Sequence, residues 1–420
     1  MKFNKWTYGL AAVGAVSLVS AARADETHMS QLQTALSTTT ISGYVDVGGQ
    51  YNIGNEGNGQ TPNYGFAHQQ NEFSLNAVDI TLERPLDESP WAAGYHAEIM
   101  FGPDSPLNGG ANVQQIPASG GNPNTFRNVN GLSQYGTIRQ AYISLRTPLG
   151  NGIDWKIGVF DTIIGYESTT AGANPNYTRS YGYTLEPTTY TGVVGSYKVC
   201  DVMTIQGGVA NGGTGGGFNS RSSVHSQKTY LGAVALTAPD SWGWFKGATM
   251  NLGYIHHVAN EVVGNSGTVD NYYAGITMPT PWNVLKVGAA FDWVEIGNGS
   301  SASLLNPKDD QAFSGAIYAN FQATDKLSFS LRGEYLEDGT GQIYNDGFGG
   351  NVSAPSPSGL VKVEALTLTT TYNLWANVLS RVELRYDHVE DGNGFGFNSS
   401  VGAPNKSDSF LVAFNLIYKF

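Results

Sequence analysis

Charge is scarce in this chain. Asp, Glu, Lys and Arg make up 13% of its 420 residues, well below the ~25% typical of soluble domains. The balance is acidic, with a formal net charge of −12, so the basic footprint that binds nucleic acid is absent. Cysteine occurs once, as Cys200, which excludes an intramolecular disulfide and argues against a cysteine metal cage. Long apolar runs are missing as well. Leu10 to Val19 is too short to span a bilayer, and no later stretch approaches the ~18 apolar residues of a membrane helix.

Catalytic patterns are equally thin. Neither G-x-S-x-G nor H-E-x-x-H occurs. His256 and His257 are adjacent, and on a strand they point to opposite faces. His225, His256, His257 and His388 lack ligand spacing, so no metal site is read here. The stretches "NPKDD" and "DHVEDGNG" are oxygen-rich, but acidic loops of this kind are usually just solvated. "GTGGGFNS" has no following helix to make a phosphate cradle. These absences argue for a protein that is no enzyme and needs no cofactor.

Glycine (54 residues) and aromatics (12%) are abundant instead. The chain starts with a targeting pattern: Lys2 and Lys5, the apolar run, then Ala22-Arg23-Ala24 as a small-x-small cleavage site. Residues 1–24 read as a signal peptide, 25–39 as a short polar leader, and 40–420 as one domain. Loss of Lys2, Lys5 and Arg23 leaves the mature chain still more acidic.

From Thr40 onward apolar residues alternate with period two, the mark of β-strands with one apolar face. Ile41, Val45, Val47, Tyr51 and Ile53 share one face in "TISGYVDVGGQYNI". Val382, Leu384 and Tyr386 oppose Arg381, Glu383, Arg385 and Asp387 in "SRVELRYDH". In the terminal "SFLVAFNLIYKF", Phe410, Val412, Phe414, Leu416, Tyr418 and Phe420 line one face and Lys419 the other. The pattern slips twice, between Ala77 and Val78 and between Val363 and Leu366, where a β-bulge is expected. The segment from Leu231 to Leu236 is apolar on both faces.

The connections separate a barrel from a soluble sandwich. Roughly sixteen strands of about ten residues are joined by alternating short turns and long Gly/Asn/Ser-rich loops, with fourteen or eighteen strands also compatible. That asymmetry predicts an all-β, transmembrane antiparallel β-barrel with short periplasmic turns and long extracellular loops. Tryptophan supports it: Trp91, Trp155, Trp242, Trp244, Trp282 and Trp375 all fall in or beside short turns, and Trp293 lies near a long loop. With Tyr418 and Phe420 they form a candidate membrane-interface girdle, and Tyr51, Phe101, Tyr254, Tyr272, Tyr335 and Tyr386 a second one.

The segment "IRQAYISLRTPLGNGIDWKIGVFDTIIGYES", followed by Asn174-Pro175-Asn176-Tyr177 and Arg179-Ser180-Tyr181-Gly182, resembles the putative β-barrel porin-2 family of outer-membrane proteins. The motif-bearing part covers about residues 138–195. The resemblance implies an outer-membrane porin, with no named substrate and no catalytic set. The terminal Phe420 resembles the carboxyl-terminal signal read by the barrel-assembly machinery.

In a water-filled barrel, function lies in whatever narrows it. The loop of residues 161–187 is the best candidate constriction, with Asp161, Glu167, Arg179 and Glu186 among Tyr166, Tyr177, Tyr181 and Tyr183; a lid outside the barrel is its alternative. Inward-parity charges form the second candidate set. Asp46, Glu98, Arg146, Asp154, Lys156, Lys286 and Asp292 belong to it, with Arg332, Glu334, Arg381, Glu383, Arg385 and Asp387. The run Arg381–Glu383–Arg385 is expected to give the wall a basic side. The expected partners are outer-membrane lipid, the assembly machinery, and small hydrophilic solutes or ions with weak cation preference, in a monomer or a homo-oligomer such as a trimer. Two other readings stay open on sequence: a plugged barrel that binds or adheres through its loops, and a secreted carbohydrate-binding β-protein.

Overall fold

The computed structural model describes residues 38–53, 64, 71–107, 136–212, 219, 226–259, 267–297, 311–339, 360–391, 395 and 406–420. The signal segment, most of the leader, His225, "NPKDD" and most of "GTGGGFNS" lie outside them.

Sixteen strands close into one antiparallel barrel in strict sequence order. They are β1 (Thr40–Ile53), β2 (Glu72–Arg84), β3 (Ala93–Phe101), β4 (Gly136–Thr147), β5 (Ile153–Asp161), β6 (Thr189–Lys198), β7 (Met203–Asn211) and β8 (Lys228–Thr237). The second half comprises β9 (Thr249–Ala259), β10 (Gly267–Pro279), β11 (Leu285–Gly297), β12 (Gln311–Gln322), β13 (Leu327–Asp338), β14 (Val361–Trp375), β15 (Val378–Asp391) and β16 (Asp408–Lys419). Short turns alternate with long connections except around β9, where the turn of residues 238–248 is longer than the connection of residues 260–266, and with sixteen antiparallel strands both ends of the described barrel lie at the turn end.

The alternation reads directly onto the two faces. Outward-pointing Val47, Tyr51, Ile143, Ile157, Leu252, Phe291, Ile317, Leu366, Val382 and Phe414 are exposed. Their inward neighbours Asp46, Asn52, Ser330, Thr367, Glu383 and Asn415 are buried. Each backbone N–H in such a wall must find its partner inside the sheet, because hydrocarbon offers none. The seam satisfies this to its last residue: Gly43 donates to Phe420 O at 3.1 Å and Phe420 donates back at 3.0 Å. Phe73 packs edge-on against Phe414 at 5.9 Å across the same seam.

Trp91, Trp242, Trp244, Trp282 and Trp375 stand exposed at the turn end, as do Tyr418 and Phe420. Trp155 is half-buried; its ring lies over Gly195, and its indole N–H donates to Thr147 Oγ1 at 3.0 Å. Tyr51, Phe101, Tyr254, Tyr272 and Tyr386 are exposed toward the loop end.

The two expected bulges resolve differently. At the first, Asp46 pairs with Ala77 and Val47 with Leu75, so Asn76 is the extra residue. At the second, β14 keeps its parity against β13 throughout. Val361, Val363 and Ala365 point inward, into an apolar cluster with Tyr181 and Leu185, while Leu366 points out. An apolar inner wall, not a slip within β14, produces that pattern. Leu231 of β8 is inward and apolar for the same reason, packed with Ile164 and Ile255.

Gly43 is fixed by the seam. A Cβ there would lie 2.7 Å from the Phe420 ring and 2.1 Å from Asp79 O. Gly43→Val is expected to cost about 1–3 kcal/mol by overpacking, read as a smaller folded fraction in heat-modifiable gel mobility, with Gly49→Ala as the milder control.

Candidate functional site

The long segment between β5 and β6, residues 162–188, turns into the barrel. It passes Ile164 and Tyr166 among inward residues of β6, β8, β9 and β12, and Tyr166 stacks on Tyr318 with ring centroids 4.1 Å apart. Ala171 then reaches Tyr44, Met100 and Ile417 on the far wall, where Lys419 donates to Gly172 O at 3.1 Å. The return leg lies along β15, β13 and β11, and ends in a helical turn at Tyr181–Leu185 capped by Ser180. The lid alternative is thereby replaced: the loop is inside.

A loop inside a barrel has polar backbone groups and no strand beside it, so side chains must supply the partners. Here the wall of β13–β16 does so. Arg381 Nη1 donates to the carbonyls of Asn174 (3.1 Å) and Asn176 (2.9 Å). Arg332 donates to Thr178 O at 2.7 Å and Arg179 O at 3.1 Å, and Arg385 to Arg179 O at 2.8 Å. The amides find carboxylates: Thr178 N donates to Glu383 at 2.9 Å and Tyr181 N to Glu334 at 2.6 Å. Tyr177 N also donates to Glu383, and Ser180 N to Glu167 at 2.7 Å.

The charges offset one another. Arg332 pairs with Glu167 and Glu334, each at 2.9 Å, and Arg385 with Asp387 at 2.8 Å. The Tyr181 hydroxyl donates to Asp387 at 2.7 Å. Arginine suits this task because its planar fork presents five donors and stays charged when buried. Tyr177 is buried with Leu411 and Ala413, and Tyr183 lies under the Arg179 guanidinium at 5.7 Å.

The sequence candidates thus converge, but their role shifts. Arg332, Arg381 and Arg385 do point inward, yet each is at most 2% exposed, because the loop backbone lies on them. The expected basic side of the wall is a covered seat. Arg179 is likewise buried and donates to the carbonyls of Tyr177 and Thr169. Asp161 stays 36% exposed. Glu186 faces Asp292, whose carboxylate leaves room only for Gly182 on the loop: a Cβ there would lie 2.4 Å from it. Burial, and then Asp292, push the Glu186 carboxyl well above the usual carboxylate range.

Arg139 escaped the parity reading. It shares its parity with outward Ile143 and Leu145, yet it is buried and bonded to Glu98, Asp161 (2.6 Å) and Thr169 (2.7 Å). A register shift explains this: Glu98 pairs with Gln140 and Ile99 with Ile138, leaving Arg139 bulged inward. An arginine on the lipid parity of a strand was the available signal. Tyr64, whose carbonyl accepts from Arg179 N at 2.9 Å, and Asn176, Thr178, Thr369 and Asn415 also hold the loop and carried no signal of their own.

Among the described residues a polar cavity of about 560 Å³ lies beneath the root of the loop at the turn end, bordered by Glu83, Tyr142, Asp154, Lys156, Asp161 and residues 162–165.

Solved structures share this architecture. DcaP, the outer-membrane channel of Acinetobacter baumannii, matches with a TM-score of 0.55 at 12% identity, over 91% of this chain and 97% of that one. The anion-selective porin from Comamonas acidovorans matches with a TM-score of 0.55 at 11% identity, over 91% and 99%. OmpT of Vibrio cholerae, in its trimer form, gives 0.52 at 13% identity over 91% and 99%. In a comparison by sequence with curated proteins, none matches. The family described as "Putative beta-barrel porin-2, OmpL-like" matches residues 38–420.

Glu383→Ala leaves the Tyr177 and Thr178 amides without acceptors, a loss on the scale of about 1–3 kcal/mol for each buried donor left unsatisfied. Amide exchange at these two residues is expected to speed up markedly while exchange in β2–β9 stays slow. Glu186 gives a pH counterpart. Its raised value means that its stabilisation of the loop is full below the ordinary carboxylate pKa and is lost as pH rises through the raised one. Exchange at Gly182, corrected for the intrinsic rate, should therefore accelerate with pH, and Glu186→Gln should flatten that dependence.

Proposed function

The chain belongs to the putative β-barrel porin-2, OmpL-like family and forms an outer-membrane channel for passive diffusion; we propose that its inward loop sets the constriction and that the channel prefers cations weakly. One observation carries the preference: the arginines beside the loop are covered. Arg139, Arg179, Arg332, Arg381 and Arg385 are each at most 3% exposed and bonded to loop carbonyls or to carboxylates. The charges with open faces include Glu83 and Asp154, both 43% exposed, and Asp161. Lys156 and Lys286, both exposed, oppose them, which keeps the preference weak.

On this reading Arg332, Glu334, Arg381, Glu383, Arg385 and Asp387 position the constriction, together with Glu167, Tyr177, Arg179, Tyr181, Tyr183 and Glu186 of the loop itself. Asp161 is the candidate in contact with solute. Passage is noncovalent and requires no cofactor: water fills the path, and size and charge decide what moves. The proposal extends to the cell envelope. Residues 1–24 direct export and are cleaved, β16 with Phe420 is the segment given to the assembly machinery, and the turn-end tryptophans sit at the lipid–water boundary. A trimer is the proposed assembly, supported by the likeness of fold to OmpT of Vibrio cholerae, whose structure is of a trimer form.

Planar-bilayer recording tests the reading. Discrete conductance steps and a reversal potential on the cation side are expected under a salt gradient, and Asp161→Asn should move that potential toward zero. A reversal on the anion side would overturn the preference, and a folded barrel passing no current would overturn the channel.

A further inference from the structure

We infer that the turn-end vestibule beneath the loop root is a subsite for small zwitterionic solutes, with the solute carboxylate at Lys156 and its ammonium at Glu83 and Asp161. The inference rests on the channel reading above and names a substrate class for it.

The cavity of about 560 Å³ has room for an amino-acid-sized solute together with water, at ~30 Å³ per water. Charges of both signs border it, and they are not spent on one another. Among the described residues Lys156 forms no ion pair within 4.0 Å. Its ammonium sits 4.8 Å from the centre of the Tyr142 ring, in the electrostatic reach of Asp161 and Glu83. Among the described residues the one ion-pair contact of the Glu83 carboxylate is with His96, at 3.7 Å. Asp161 is held by Arg139 through Oδ1, and its carboxylate is still one-third exposed. Opposite charges that feel each other but stand too far apart to pair leave a gap that a dipolar solute can bridge.

Positions along the wall strengthen this. Glu83 lies on β2, His96 on β3, Tyr142 on β4 and Lys156 on β5, and Tyr142 pairs with His96 in register. Tyr142 is stacked on His96 at 5.1 Å with the rings 8° from parallel, so the ammonium is propped on a ring that is itself fixed. That propping directs the charge without neutralising it. The same stacking disfavours sugars, which need an open aromatic face. Tyr142 is taken by His96 and Lys156, and Trp155 turns to Gly195 and Thr147. A simple anion or cation would meet one attractive and one repulsive wall; a zwitterion meets two attractive ones.

The test is tracer uptake into proteoliposomes at low solute concentration, comparing γ-aminobutyrate with the uncharged, similarly sized erythritol. An uptake ratio of about fivefold in favour of the zwitterion is expected, the factor that one close charge contact of ~1 kcal/mol supplies in a wet site. Lys156→Met should bring the ratio near one with erythritol entry unchanged, and Glu83→Gln should lower it from the other side. Both variants should keep the heat-modifiable mobility of the folded barrel, since neither residue belongs to the loop seat. A ratio near one in the parent protein, or one that neither variant moves, overturns the subsite and leaves the channel standing. Entry of neither probe overturns the channel reading, and the subsite with it.

Discussion

The backbone cannot leave a hydrogen bond unmade in hydrocarbon, and that obligation shapes everything else in this molecule. It forces closure, so β1 must find β16, and the pairing runs out to the last residue, with Phe420 bonded to Gly43 in both directions. Closure in turn forces the alternation. The strands carry Val, Leu or aromatic side chains outward and, where the loop does not pack on them, polar partners inward, and short turns can gather at one end. The glycine at the seam follows from the same demand, because the tip of the terminal ring reaches the place a Cβ of Gly43 would occupy.

Inside the barrel the obligation returns in another form. A loop that leaves the rim and enters the lumen loses bulk water without gaining a neighbouring strand. The wall of β13–β16 stands in for that strand, with guanidinium groups taking carbonyls and carboxylates taking amides between Asn174 and Tyr181. Charged groups make these bonds strong, and burial makes a missing one expensive. Such a seat has to be balanced, which is why Arg332 and Arg385 stand among Glu167, Glu334 and Asp387. Neutral side chains would have served the geometry but would have held the loop less firmly.

This division of labour explains what was legible in the sequence. Strand parity and the alternation of turns and loops give the barrel, because lipid imposes one rule on every outward position. The inner face obeys no single rule. Where the loop packs, it is apolar at Val361, Val363, Leu231 and Leu411 and charged at Arg332 and Arg385, side by side. A reading that expects a uniformly wet lumen therefore sees a slip within β14 at Val363, where β14 stays in register with β13 and the extra residue, Glu390, belongs to β15. It misses the true bulge at Arg139, which carries a guanidinium from the lipid parity to the interior. The loop's composition was informative about its chemistry but not its direction, since tyrosines and carboxylates suit a lid as well as a constriction.

The consequence for function is a lumen with two unlike sides. On β13–β16 the charges are numerous, covered and mutually bonded, so changing one disturbs the loop before it changes the field a solute meets. On β2–β5 Asp79, Glu98 and Arg139 are buried too, but Glu83, Asp154 and Lys156 keep open faces and can be exchanged at less cost to the fold. Selectivity is therefore most easily tuned on the side that keeps open faces. Counting inward charges points to the wrong wall; what matters is which of them water, and hence a solute, can still reach.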